Sequence, residues 1–111
     1  MAGHDVFAAL ADPTRRRLIQ RLAEASPQTA TRLATNLPVT RQAVSKHLAI
    51  LAEAGLVTAE RAGRETRYAL TPAALTEATS WLAIIAATWD ERLAALKRQV
   101  EADRDQPRGR R

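Results

Sequence analysis

The stretch VTRQAVSKHLAIL, Val39 to Leu51, decides how this chain is read. At about 100° per residue, Val44, Leu48 and Leu51 fall on one side of a helix, the spacing of a stripe that faces a core. The opposite side offers Arg41, Gln42, Ser45 and Lys46. A solvated helix face usually carries its own acid–base pairs three or four residues apart. Here no Asp or Glu occurs between Glu24 and Glu53. A cationic, hydrogen-bonding ridge without an internal counter-charge points to an anion outside the chain.

Charge placement along the chain agrees. The formal net charge is +5, and residues 13–67 hold ten Lys or Arg against four acids. Residues 1–12 hold two acids and no Lys or Arg, and residues 68–100 balance at three against three. A basic block between flanks that are acidic or neutral suits a polyanion-binding surface, although charge kept only for solubility is an alternative on composition alone. At 111 residues the chain has room for one core. Ala and Leu dominate and aromatic residues are only 4%, which favours helices over a sheet sandwich. No apolar run is long enough to span a membrane. The stretch MAGHDVFAALADPT is not expected to act as a secretory signal. With no cysteine there is no disulfide framework, thiolate metal site or cysteine nucleophile, so a cytoplasmic setting is expected.

Outward from the opening stretch, the punctuation is clear. Val6, Phe7 and Leu10 predict a short amphipathic helix ending near Ala11. Asp12-Pro13 then supplies a cap and a first-turn proline for a second helix, with Leu18, Ile19 and Leu22 inward and Arg15, Arg16, Arg17 and Arg21 around them. Three successive arginines span about 200° of helix, so at least one points away from any common partner, towards Asp12 or Glu24. Ser26-Pro27 ends that helix. Thr29 caps a third of about two turns, carrying Ala30, Leu33, Ala34 and Leu37. Pro38 breaks it, and Thr40 caps the fourth after a turn of about three residues. Gly55 stands where a left-handed helix terminator belongs. LVTAER and ETRYAL, around Ala62-Gly63-Arg64, predict a β-hairpin.

Thr71-Pro72 opens a last long helix. On it Leu75, Ala78, Leu82, Ile85, Trp89, Leu93, Leu96 and Val100 recur at three- and four-residue spacing, with Trp81 and Ile84 expected to widen the stripe. A small domain cannot cover such a stripe by itself. Residues 1–101 are therefore expected to form one winged helix-turn-helix domain that binds DNA and dimerises. It would be mainly α, with five helices and a hairpin wing. Residues 102–111 are expected to be a disordered basic tail. The interface of a two-fold homodimer would draw on Val6, Phe7 and Leu10 of the first helix and Trp81, Leu82, Ile85, Trp89, Leu93 and Leu96 of the last. That places two recognition helices one DNA turn apart on a two-fold operator.

Side-chain chemistry divides the labour on double-stranded DNA. Gln42 suits a bidentate contact with adenine, and Ser45 suits several base edges. Lys46 reaches guanine or backbone. Thr40 and Arg41 are expected to hold phosphate and set register. Arg61, Arg64 and Arg67 of the wing are expected on backbone or in the adjacent minor groove; pairing with Glu60 and Glu65 is the other reading. His47 lies on the flank of the helix, either bonded to a neighbouring carbonyl or touching phosphate. A catalytic triad and a Gly-rich phosphate loop are both absent from the sequence, so no enzyme is expected.

Three segments, FAALADPTRRRLIQRL, TRQAVSKHLAILAEAGLV and RETRYALTP, resemble the ArsR/SmtB family of dimeric bacterial transcriptional repressors. The resemblance covers about Val6 to Val100. It implies a homodimer that blocks transcription at a two-fold operator, often its own promoter. Metal sensors of that family carry a Cys pair in the third helix, or Asp, His and Glu ligands on the last. Here the third helix reads TATRLATNL, and residues 72–111 contain neither His nor Cys. Asp90 and Glu91 alone suit only weak binding of a hard cation. The chain therefore resembles a metal-independent branch with no cofactor. Its inducing signal is left open between a small molecule, taken beside Trp81 and Trp89, a protein partner, and none. A winged fold kept as a protein-interaction module is the competing reading.

Overall fold

The computed structural model describes residues 5–105. Its element order is α1 (Val6–Ala9), α2 (Pro13–Glu24), β1 (Gln28–Thr29), α3 (Ala30–Ala34), α4 (Arg41–Glu53), β2 (Val57–Ala62), β3 (Glu65–Leu70) and α5 (Pro72–Asp105). Five helices and a small antiparallel sheet thus make a mainly helical winged helix-turn-helix, in line with the sequence. No helix among the described residues is long and apolar enough to cross a membrane.

The predicted caps Asp12, Thr29 and Thr40 are in place, and Asp5 caps α1 besides. The carboxylates of Asp5 and Asp12 accept from the N–H groups of Ala8 and Arg15, at 3.0 and 3.1 Å. The Thr29 and Thr40 hydroxyls accept from Arg32 and Ala43, at 3.2 and 3.0 Å. Each satisfies a donor that the first helical turn leaves without an internal partner. At the far end of α4, Gly55 has φ +80°. The N–H of Gly55 reaches the Ala52 carbonyl at 3.0 Å and that of Leu56 reaches Leu51 at 2.9 Å, the paired bonds of a Schellman motif.

Two expectations need correction. Helix α3 has five residues, not two turns, and residues 35–40 separate it from α4. The helix gives way at Thr35 (φ −59°, ψ 127°) to a type II turn, closed by the Leu37 N–H on the Ala34 carbonyl at 3.0 Å, in which Asn36 takes the left-handed position at φ 64°. The wing is also not a lone hairpin. Strand β1 pairs antiparallel with β3, Gln28 opposite Tyr68 and Thr29 opposite Arg67, giving the order β1-β3-β2. Two residues leave no alternation to read in a sequence, and Thr29 doubles as the α3 cap.

The core draws on the four helices before α5 and on the start of β2: Ala9, Leu18, Ile19, Leu22, Ala30, Leu33, Val44, Leu48, Leu51, Ala54, Leu56 and Val57 are buried. Ala74 and Leu75, in the first turn of α5, pack partly against it. The chain divides into two compact units after Ala78. The second unit, as far as it is described, is the remainder of α5, and no α5 residue is buried. This helix continues to Asp105, so residues 102–105 are helical where a disordered tail was expected; the rest of that tail lies outside the described residues.

Candidate nucleic-acid interface

Helix α4 presents two faces of opposite character. Val44, Leu48 and Leu51 are each 0% exposed, which fixes the rotation of the helix about its axis. Arg41, Gln42 and Lys46 consequently stand exposed and Ser45 half-buried. None of these four side chains makes a hydrogen bond or ion pair with any described residue, whereas Thr40 is held by its capping bond. Thr40, Arg41, Gln42, Ser45 and Lys46 line one open hollow along the ridge.

The wing separates its arginines by strand alternation. The register sets Arg61 opposite Thr66 and Glu60 opposite Arg67. Arg61 therefore shares a face with Thr66 and Tyr68, while Arg67 lies on the other face with Glu60 and Glu65. Arg67 is paired with Glu65 at 3.3 Å, as the alternative reading had it. The side chains of Arg61 and Arg64 are exposed and bond to no described residue. The loop of Gly63 and Arg64 turns on Gly63 at φ +67°, which puts Arg64 at the tip.

His47 does not join the ridge. Its Nδ1 accepts from the Arg15 guanidinium at 3.2 Å and lies 4.0 Å from the Asp12 carboxylate. Its place among the DNA-facing residues is thus corrected: it sits about 60° from Val44 around the helix, and that flank packs on α2. Arg15 also donates from Nε to the Ala9 carbonyl at 2.6 Å, and Arg16 donates to those of Leu10 and Ala11 at 2.8 and 3.1 Å. These two arginines therefore cap the end of α1, with Arg15 beside Asp12 through His47. Arg21 does the same for α3, donating to the Leu33 carbonyl at 3.0 Å. The backbone N–H of Arg15 holds the Asp12 carboxyl below its ordinary 3.8; loss of solvent opposes this, and the neighbouring His47 and Arg15 side chains reinforce it.

Sequence reasoning missed a second hollow, of about 480 Å³, between α3, α4 and the wing. It brings Arg32 together with Arg41 and Arg64, among the hydroxyls of Thr31, Ser45, Thr66 and Tyr68. Arg32 carried a signal, since it stands in the acid-free segment. What sequence could not supply was the fold that brings α3 beside the wing turn.

The expected interface residues fall into two groups. Phe7 is 46% exposed, but Val6 and Leu10 already pack partly against their own core, with Ala9 buried between them. Residues four apart share a side of a helix, and here that side turns inward. On α5, Trp81, Leu82, Ile85, Trp89, Leu93 and Leu96 are exposed, between 46% and 57%. Ile84, three residues after Trp81 and about 60° from it around the helix, is 63% exposed.

A rigid helical core presenting one polar ridge, with a short turn before it and an arginine-tipped wing after it, defines a helix-turn-helix protein. A family model described as a helix-turn-helix domain matches residues 10–60. The chain is similar to an ArsR-like transcriptional regulator from Rhodococcus sp. RHA1, at 47% identity and TM-score 0.71, over 84% of this chain and 87% of that one. It is 46% identical to the HTH-type transcriptional regulator Rv2034 of Mycobacterium tuberculosis over 62% of this chain and 64% of the relative. It is 30% identical to the transcriptional repressor SdpR of Bacillus subtilis over 71% of this chain and 87% of the relative. The chain belongs to the ArsR/SmtB family of transcriptional regulators, whose members bind through a helix-turn-helix domain and are not enzymes.

Proposed function

We propose that this chain is a homodimeric repressor that reads a two-fold operator in double-stranded DNA. Gln42, Ser45 and Lys46 enter the major groove, Thr40 and Arg41 hold phosphate at the start of α4, and Arg61 and Arg64 anchor the wing. Arg67 and His47 serve the fold instead. The carrying observation is the ridge of Arg41, Gln42, Ser45 and Lys46, which has no partner among the described residues while the reverse of the helix is fully buried. Repression is supported by similarity to a relative named as a repressor. A two-fold assembly is supported by the exposed apolar side chains of α5. Regulation without a thiolate metal site is supported by the absence of cysteine from the sequence.

Quantitative binding tests this reading. Two protomers making three or four phosphate contacts each give a log K that falls with log salt at a slope of about −6. A slope shallower than about −2 rejects the footprint. Gln42→Ala is expected to relax preference at particular base pairs, at a cost of about 1–3 kcal/mol on the preferred sequence. Should Gln42→Ala with Ser45→Ala leave selectivity and regulation unchanged, the protein-interaction module becomes the better reading.

A further inference from the structure

We propose that the hollow between α3, α4 and the wing is a seat for one backbone phosphate of duplex DNA, with Arg32 as its unassigned third arm. The inference rests on the DNA-binding reading above and adds to it a specific ligand group and a contact residue outside the recognition helix. Three arginines line this hollow, from three separate parts of the fold: Arg32 of α3, Arg41 at the start of α4, and Arg64 at the wing tip. Like charges repel, and none of the three is bonded to a described residue. One acid, Glu65, also lines the hollow, but it is paired at 3.3 Å with Arg67. The positive charge is thus left for an outside anion.

Shape and chemistry narrow the anion. The hollow is open and about 480 Å³, and hydroxyls of Thr31, Ser45, Thr66 and Tyr68 accompany the arginines. A tetrahedral phosphodiester offers acceptor oxygens that guanidinium forks and hydroxyls match. Arg41 and Ser45 border both this hollow and the ridge, so a phosphate here would be continuous with a duplex lying on α4. Arg64 is thereby committed to backbone rather than minor groove. The wing and the helix-turn-helix then grip the same phosphate, which sets the wing's angle to the DNA without reading sequence.

Salt titrations of Arg32→Gln test this on a duplex selected by the protein from a random-sequence pool and on a scrambled duplex. The Arg32 side chain is exposed and bonds to no described residue, so the variant is expected to melt as the wild type does. The expected result is a salt slope shallower by up to about 0.9 per protomer, equal on both duplexes. Arg32→Lys, keeping the charge, is expected to restore most of the slope, and Arg98→Gln on α5 to leave it unchanged. Neutral methylphosphonate linkages, scanned singly along the selected duplex, should reveal a position that weakens wild-type binding more than that of Arg32→Gln, which keeps Arg41 and Arg64 on that phosphate. An unaltered slope in Arg32→Gln, beside a reduced one in Lys46→Gln, overturns the phosphate seat and leaves DNA binding intact. Wild-type protein that binds no duplex overturns both.

Discussion

Asp12 caps α2 and also stands beside the imidazole of a residue on the recognition helix. Its carboxyl titrates lower when folded than the ordinary 3.8. A depressed carboxyl contributes stability above its unfolded pKa and loses it as pH falls through the folded one. Asp12→Ala is therefore expected to melt at a lower temperature than wild type at about pH 7, with the difference narrowing below about pH 4. Melting curves across that range check this; a gap of constant size would assign the effect to packing instead. Sequence alone identified Asp12 as a cap, since Asp-Pro before an amphipathic run is a local signal. It could not identify the neighbour, because His47 lies 35 positions away in the chain.

Helix ends show the same division. Gly55 terminates α4 at φ +80°, and a Cβ built there meets nothing within 4 Å. The cost of Gly55→Ala is thus backbone strain alone, about 1–2 kcal/mol, with Gly55→Asn costing less. Chemical denaturation of the two variants checks it; equal losses would point to a contact instead. Gly55 was legible because glycine at the end of a helical pattern has one common meaning. Asn36 takes the left-handed position of the turn that follows α3 at φ 64°, yet it was not legible, since asparagine in a polar turn has several meanings. Strand β1 escaped for a related reason: its two residues take their identity as a strand from Tyr68 and Arg67 across the ladder.

Helix α5 runs for 34 residues, about 51 Å, without burying one of them. Leu82, Ile85, Trp89, Leu93 and Leu96 recur on one side of it and stay about half exposed. A second copy of the chain is the proposed cover. Leu93→Glu is expected to shift the particle mass from two chains to one at micromolar concentration and to weaken operator binding, while the helix-turn-helix keeps its melting behaviour. Light scattering and duplex titration check this. A variant that remains dimeric would move the interface elsewhere, with exposed Phe7 of α1 the next place to probe. Val6 and Leu10 are weaker candidates, being partly spent on their own core.

Local chemistry by itself determined the helix starts, the glycine turns, the inward stripe of α4 and hence the unmatched ridge behind it. Each of these depends on residues within a turn or two of one another, so periodicity and capping suffice to read them. Tertiary structure alone decided which cations are free. Arg15 and Arg16 close α1, Arg21 closes α3, and Arg67 answers Glu65. Arg32, Arg41 and Arg64 are left to meet in one hollow. A guanidinium reaches far enough to choose among many acceptors, and which of them lies within reach depends on how distant segments pack.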